Sequence, residues 1–210
     1  DGRFMARGAV SQLAGQALNV GGTTTFDAGS EALSLTEAGN TFGGLVTVKA
    51  GQTALRARDS LNVSLDQTGA TTLTAGDALT LAGTAASLVT DSAALTFGVT
   101  RVTGDGSFTA RGPVSQLANG TLVVDGRTQL DITLRSVTNS IVLANRGNVF
   151  GGVLAGEIDL GPGAADSSIR SEQAIRLGAL DVRGKGVLEL ESFAEMGKKP
   201  VLDVATVVSS

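Results

Sequence analysis

Short runs in which apolar and polar residues alternate recur along the whole chain. Clear examples are Leu61-Asn62-Val63-Ser64-Leu65 and Leu130-Asp131-Ile132-Thr133-Leu134. An apolar residue at every second position is the signal of a β-strand with one buried face. Sixteen or more such runs, with almost no helical periodicity, predict an all-β chain.

Residues that favour turns lie between the runs. Gly21-Gly22, Gly76-Asp77 and Asn119-Gly120 are examples, and glycine and asparagine tolerate the positive φ angles that corners require. Two all-β architectures are open on this basis. A sandwich or barrel would join its strands by tight hairpins. A parallel β-helix would separate short strands by corners and stack each coil on the previous one.

One unusual six-residue word occurs twice, as Gly39-Asn40-Thr41-Phe42-Gly43-Gly44 and as Gly147-Asn148-Val149-Phe150-Gly151-Gly152. We interpret it as a corner in which Phe42 and Phe150 fill the core and Asn40 and Asn148 bond the turn backbone. The other interpretation, a phosphate-binding glycine loop, lacks the Lys-Ser/Thr pair and the following helical pattern. The predicted structural repeat motif comprises Gly39, Asn40, Phe42, Gly43, Gly44, Gly147, Asn148, Phe150, Gly151 and Gly152.

A second match shows that the repetition is long. Residues 1–14, DGRFMARGAVSQLA, reappear 104 positions later as residues 105–118, DGSFTARGPVSQLA. The six-residue words are 108 positions apart, so the second copy has four extra residues. We predict one segment, 1–210, built of two long repeats, 1–104 and 105–210. Its part from about 184 to 210 is divergent, because its charge density is higher and residues 192–197 break the alternation, and we expect a cap, a distorted coil or a junction there.

Repetition and short, numerous strands favour the parallel β-helix over the sandwich. Each unit of such a fold buries its apolar face only against its neighbours, with like residues stacked about 4.8 Å apart. At about 20 residues per coil, the chain would form about ten coils.

Several residue types that carry chemistry are absent. The chain has no Cys, His, Trp or Tyr, and seven Phe are its only aromatic residues. It therefore offers no thiol nucleophile and no imidazole base, and we predict a protein that is not an enzyme and needs no cofactor. The net charge of −4 argues against nucleic acid as a partner, and no apolar run is long enough to span a membrane.

One group of charged residues leaves a catalytic alternative open. Asp27, Arg56, Arg58, Asp59 and Asp66 are close in sequence and could meet on adjacent coils, and paired carboxylates serve glycoside chemistry. A β-helix polysaccharide lyase or hydrolase is therefore the alternative function. A solvated face of mixed charge explains the same residues without catalysis, and the chain has no Trp or Tyr to stack on a sugar.

Three acidic turns invite comparison with calcium sites: Gly76-Asp77, Asp105-Gly106 and Asp125-Gly126. The calcium-binding word Gly-Gly-x-Gly-x-Asp and the EF-hand loop are both absent. Aspartates in turns commonly bond their own backbone, so no metal site is predicted.

The stretch from Thr23-Thr24-Thr25-Phe26-Asp27 to Leu45-Val46-Thr47-Val48 resembles the repeats of large bacterial exoproteins of the filamentous haemagglutinin-like class. The resemblance covers about residues 1–160. It implies a right-handed parallel β-helix in a large secreted or surface-attached protein, often an adhesin exported by two-partner or autotransporter routes. The secretion domain of that class carries Asn-Pro motifs, and this chain has none, so the resemblance implies a stalk segment.

The expected function is therefore that of a structural stalk segment in a secreted or cell-surface adhesin, presenting a binding region away from the cell. The expected partners are neighbouring repeats of the same chain or filament, a host or bacterial cell-surface receptor, and an outer-membrane secretion partner. A self-assembling surface filament subunit is a further alternative. Residue 1 is Asp and not an initiator Met, and we expect the chain to be a fragment of a longer protein.

Overall fold

The computed structural model describes residues 1–66, 69–136, 138–161, 165–184 and 186–193, which form 22 β-strands and no helix. Strands β1 to β8 are Gly2–Met5, Val10–Ser11, Asn19–Val20, Thr24–Asp27, Ala32–Leu35, Thr41–Phe42, Leu45–Lys49 and Gln52–Ala57. Strands β9 to β16 are Leu61–Asp66, Ala70–Ala75, Ala78–Ala85, Ser87–Ser92, Ala94–Val102, Gly106–Ala110, Val114–Val124 and Thr128–Thr133. Strands β17 to β22 are Val142–Leu143, Val149–Phe150, Val153–Asp159, Ser167–Ser171, Arg176–Arg183 and Leu188–Ser192.

Every pairing between these described strands is parallel. Sheet A contains, in order, β1, β4, β7, β9, β11, β13, β15 and β18, and sheet B contains β2, β5, β8, β10, β12, β14, β16, β19 and β21. Strands that follow each other in sequence thus lie in different sheets and pair with strands of the next coil. The protein is a parallel β-solenoid of about nine turns. The predicted all-β, coiled architecture is confirmed, and the hairpin-linked sandwich is excluded.

The coils differ in length along the solenoid. Gly2 pairs with Thr24, 22 positions later; Val46 pairs with Val63, 17 positions later; and Val123 pairs with Val149, 26 positions later. Two small sheets give the longer coils a third side. Sheet C consists of β3 and β6 near the start, and sheet D of β17, β20 and β22 near the end.

The apolar residues of the alternating runs fill the solenoid. Val46, Val63, Leu81 and Phe97 occupy one inward column of sheet A, and each is at most 1% exposed. Each column repeats at the interstrand spacing of about 4.8 Å, so an inward residue requires inward side chains in the coil above and the coil below to bury it, as Thr24 and Val63 bury Val46. This requirement explains why the period of two persists from run to run.

The two copies of the long repeat begin on different sheets. Asp1 precedes β1 of sheet A, whereas Asp105 precedes β14 of sheet B. The strands from β7 to β13 form shorter coils and lie only in sheets A and B, so the sides of the solenoid are reassigned there. In the second copy the single strand β15, bulged against β13, forms the two sides that β2 and β3 form in the first copy.

Part of the predicted divergent end belongs to the solenoid. β22 pairs with β20 of sheet D over Leu188–Ser192 and completes the last coil of the described residues. Residues 185 and 194–210 of that predicted end lie outside the described residues. No helix in the described part of the chain is long and apolar enough to cross a membrane.

Candidate functional site, two buried amide clusters

The repeated six-residue word places one asparagine of each copy inside the solenoid. Asn40 and Asn148 are fully buried, immediately before β6 and β18. A buried amide must find partners for its oxygen and its nitrogen, because leaving such a group unsatisfied costs about 1–3 kcal/mol. Each asparagine meets this need through a glutamine of the preceding coil and through the main chain.

The first amide cluster joins Asn40 to Gln12. Gln12 Nε2 donates to Asn40 Oδ1, and Asn40 Nδ2 donates back to Gln12 Oε1 at 3.0 Å. Asn40 Oδ1 also accepts the Leu18 N–H at 2.8 Å, and Asn40 Nδ2 also donates to the Leu35 carbonyl at 3.2 Å. Asn40 thus makes the four hydrogen bonds of which its amide is capable.

Gln12 is equally satisfied. Its Nε2 also donates to the Gln16 carbonyl at 2.8 Å, and its Oε1 also accepts the Glu37 N–H at 3.2 Å. The cluster therefore fixes main-chain atoms on both sides of the boundary between the first and second coils. Such fully bonded buried networks are rigid, because any shift breaks several hydrogen bonds together.

The second amide cluster repeats the first, atom for atom. Gln116 Nε2 donates to Asn148 Oδ1 at 2.6 Å, and Asn148 Nδ2 donates to Gln116 Oε1 at 3.1 Å. Asn148 accepts the Leu122 N–H and donates to the Leu143 carbonyl, both at 2.8 Å. Gln116 completes its set with the Gly120 carbonyl at 3.4 Å and the Asn145 N–H at 3.1 Å. Each partner lies 104 or 108 positions after its counterpart in the first copy.

The side chains of the two amide clusters have a structural role and no catalytic chemistry of their own. Primary amides carry no charge and are neither bases nor nucleophiles at ordinary pH. They hold two coils in one register. They also hydrogen-bond main-chain N–H and C=O groups at the corners, which have no partner in the strand ladders.

The glycines that end each six-residue word let successive coils approach. A Cβ atom on Gly44 would lie 2.8 Å from the carbonyl carbon of Gly22, and one on Gly152 would lie 2.3 Å from the carbonyl oxygen of Gly126. Main-chain atoms cannot turn aside as a flexible side chain can, so these corners close only with glycine. The same constraint applies to Gly43 and Gly151, where an added Cβ atom would lie 2.4 Å and 2.9 Å, respectively, from a main-chain oxygen of the preceding coil.

The remaining residues of the predicted motif are also structural. Phe42 and Phe150 are buried, as the corner interpretation expects, and the Phe42 ring meets the edge of Phe26 with 6.3 Å between centroids. Gly147 has a φ of +87°, which favours glycine, and a Cβ atom on Gly39 would lie 3.0 Å from the Cβ atom of Ala17.

Sequence reasoning did not single out two further repeated features. One is the pair Gln12 and Gln116, whose signal is their shared place in the word Val-Ser-Gln-Leu-Ala. The other is the carboxylate that opens each copy. Asp1 Oδ1 accepts the N–H of Thr23 at 2.9 Å, and Asp105 Oδ1 accepts the N–H of Arg127 at 2.8 Å, in each case from the next coil.

The charged residues of the catalytic alternative do not meet in one group. Asp27 and Asp66 end β4 and β9 of sheet A, with β7 between those strands. Arg58 and Asp59 pair with each other at 3.1 Å on the surface, and this hydrogen bond raises the pKa of Arg58. Arg56 lies on β8 of sheet B.

Two of the three aspartates compared with calcium ligands have protein partners instead. Asp105 bonds the Arg127 N–H, as described above, and Asp125 forms an ion pair with Arg101 at 2.6 Å. Within the described ranges, no group of three or more acidic residues is arranged to hold a metal ion.

The repeats also define the family. A family profile matches residues 3–49 and 83–157, which together make up more than half of the chain. The chain belongs to the family described as repeats of unknown function (DUF5649). Each matched range of the DUF5649 repeats contains one complete Gln–Asn pair: Gln12 with Asn40, and Gln116 with Asn148. No curated protein and no solved structure matched the chain. The DUF5649 description carries no link to filamentous haemagglutinin-like exoproteins, and that resemblance stays a prediction.

Proposed function

We propose that the chain is a structural stalk segment of a large secreted or cell-surface adhesin, holding a binding region away from the cell. The observation that carries the proposal is the recurrence of the amide cluster. Gln12 and Asn40 recur as Gln116 and Asn148, and in both copies the pair bonds one coil to the next. This recurrence favours a mechanical role over a catalytic one.

Stacked coils suit such a role. The ladders of main-chain hydrogen bonds run along the long axis, and each coil contributes strands to at least two sheets. About nine turns at about 4.8 Å each give a length of roughly 40 Å. Because every coil contacts only its neighbours, a solenoid can be lengthened by repetition without a new core.

Right-handed winding belongs to the same proposal. Connections between parallel strands of one sheet are right-handed in about 98% of cases, which supports this hand. The predicted count of about ten coils also remains a prediction, since residues 194–210 lie outside the described residues. A cell-surface receptor and an outer-membrane secretion partner are the proposed partners.

The size and location of the native polypeptide test the proposal. An antibody raised against the purified chain is applied to cell-surface and culture fractions, before and after protease treatment of intact cells. The proposal predicts a surface band far larger than the 21.0 kDa of this chain, which protease removes from intact cells. Antibody absorbed with the purified chain is the control and must lose the band.

A native species of about 21 kDa that protease cannot reach in intact cells would contradict the stalk. Fibres of the purified chain in electron micrographs, growing with protein concentration, would favour the filament subunit instead. Turnover of uronate polymers that is lost in the Asp59→Asn or Asp66→Asn variant would favour the enzyme.

A further inference from the structure

The first coil presents core-type side chains on its outer end. Within the described residues, β1, β2 and β3 pair only with β4, β5 and β6 of the second coil. We call their free edges, with the inward side chains they carry, the N-terminal face. These side chains are Gly2, Phe4, Ala6, Val10, Leu18 and Val20.

The N-terminal face is only partly covered. Phe4 is 39% exposed, although its ring stacks on Phe26 with 5.0 Å between centroids. Val10, Leu18 and Val20 are half-buried. A free strand edge beside apolar side chains is the kind of surface that adds another strand.

In the second copy of the repeat, the residues equivalent to those of the N-terminal face lie inside the solenoid and are covered by a preceding coil. These equivalent residues are all buried: Gly106, Phe108, Ala110, Val114, Leu122 and Val124. Strands β12 and β13 cover them, with Leu88 opposite Gly106 and Thr90 opposite Phe108. Phe97 of β13 meets the Phe108 ring edge-on, with 5.1 Å between centroids.

Main-chain groups show the same correspondence. In the second copy the covering coil donates Leu88 N–H to the Asp105 carbonyl at 3.1 Å, and its Ser92 carbonyl accepts the Arg111 N–H at 3.1 Å. The matching groups of the first copy are the Asp1 carbonyl and the Arg7 N–H, 104 positions earlier. The N-terminal face therefore offers side chains and main-chain groups in the arrangement that a covering coil uses elsewhere in this chain.

We propose that the N-terminal face binds one further parallel coil with the pattern of residues 87–104. The inward residues of that pattern are Leu88, Thr90, Ser92, Leu95, Phe97, Thr100 and Val102. This inference deepens the proposed function and rests on it, because a stalk grows by stacking coils. Its test concerns the surface alone and is independent of where the native protein is located.

The test joins a second copy of residues 87–104 to the front of the 210-residue chain, so that Gly104 precedes Asp1 as it precedes Asp105. Amide hydrogen exchange of β1 is then followed by NMR. Successive N–H groups of a strand point to opposite neighbours, and those of Gly2 and Ala6 donate to the second coil. The N–H groups of Arg3, Met5 and Arg7 therefore point to the free side.

We expect the Arg3, Met5 and Arg7 amides to exchange fast in the 210-residue chain and about tenfold or more slowly in the extended chain. The Gly2 and Ala6 amides, already bonded to the second coil, are the control within the same strand. A matched extension with Leu88→Asp and Phe97→Asp in the added copy keeps the length and must not slow the three amides.

A second readout covers the case in which the extended chain does not fold. The chain contains no Trp, so the Phe4→Trp variant carries a single fluorophore on the N-terminal face. A peptide of residues 87–104, titrated into this variant, shifts the emission to the blue if the coil binds, and the doubly substituted peptide does not.

Exchange at Arg3, Met5 and Arg7 that is equally fast with both extensions would overturn the proposal, as would a Trp emission that neither peptide changes. Slow exchange in the unextended chain that strengthens with protein concentration would identify a second copy as the occupant. That result would overturn the proposal as well.

Discussion

Asn40 and Gln12 lie 28 positions apart and exchange two hydrogen bonds inside the solenoid. Asn148 and Gln116 make the same exchange over 32 positions. The four extra residues of the second copy are absorbed in a coil of 26 residues without changing the partner atoms. A coil of this repeat can therefore vary in length as long as its two amides meet.

Removing one buried asparagine should destabilise the whole solenoid. Asn148→Ala leaves the Leu122 N–H, the Leu143 carbonyl and the Gln116 amide without their partner, and we expect a loss of about 2–4 kcal/mol in unfolding free energy. Denaturant unfolding followed by circular dichroism measures it. The control is Asn62→Ala on the exposed face of β9, with an expected change within about 0.5 kcal/mol. Equal effects of the two substitutions would show that burial of Asn148 does not matter.

A charge in place of the same amide should make stability depend on pH. In the Asn148→Asp variant, burial and the facing Leu143 carbonyl raise the pKa of the new carboxyl above its value in the unfolded chain. The folded state then binds the proton more tightly, so the loss of stability grows as pH rises through the folded pKa. Unfolding free energies at several pH values between about 4 and 8 measure it, and a variant whose deficit is flat across that range contradicts the account.

The corner glycines should not accept a methyl group. Gly152→Ala places a Cβ atom 2.3 Å from the Gly126 carbonyl oxygen, and we expect a loss of about 1–3 kcal/mol or more as the two coils separate. At Gly8 a Cβ atom meets nothing within 4 Å, so Gly8→Ala should be neutral or slightly stabilising. Thermal unfolding of the two variants is a direct comparison, and similar melting temperatures would count against the close approach of the coils at Gly152.

Substituting the phenylalanine at equivalent positions of the two copies should change the unfolding free energy by different amounts. Phe108 is fully buried, and Phe108→Ala is expected to cost about 3–5 kcal/mol. Phe4, its counterpart, is 39% exposed, and Phe4→Ala should cost less than half as much. Both substitutions remove the same atoms, so the difference in unfolding free energy reports only the neighbouring coils. A larger effect at Phe4 than at Phe108 would be incompatible with the N-terminal face described above.

The β-solenoid architecture could be predicted from the sequence because each side and each corner of a coil requires particular residue types. Inward residues such as Leu61 and Val63 must be apolar, while corners need glycine or asparagine, and both rules leave a mark within a few residues. Glycines at corners such as Gly44 and Gly152 could likewise be assigned to turns. Their role in coil contact rests on Gly22 and Gly126, more than 20 positions earlier, and the local pattern does not reveal it.

The amide clusters lie beyond that kind of reasoning. Gln12 follows Val10-Ser11 at a polar position, and the sequence there cannot distinguish a solvent-facing side chain from a half-buried, fully hydrogen-bonded one. Its partner Asn40 is 28 positions away, and only the fold shows that they meet. The change of sheet between Asp1 and Asp105 was equally hidden, because coils of 16 to 26 residues do not return to the same side of the solenoid after a fixed number of residues.

Each Gln–Asn pair is expected to act as one unit that holds two neighbouring coils together. A double-mutant cycle of Gln116→Ala and Asn148→Ala, repeated for Gln12→Ala and Asn40→Ala, tests it directly. We expect that in both copies the double variant loses less stability than the two single variants together, by a coupling of about 1–3 kcal/mol. Additive losses, within about 0.5 kcal/mol in both copies, would contradict it.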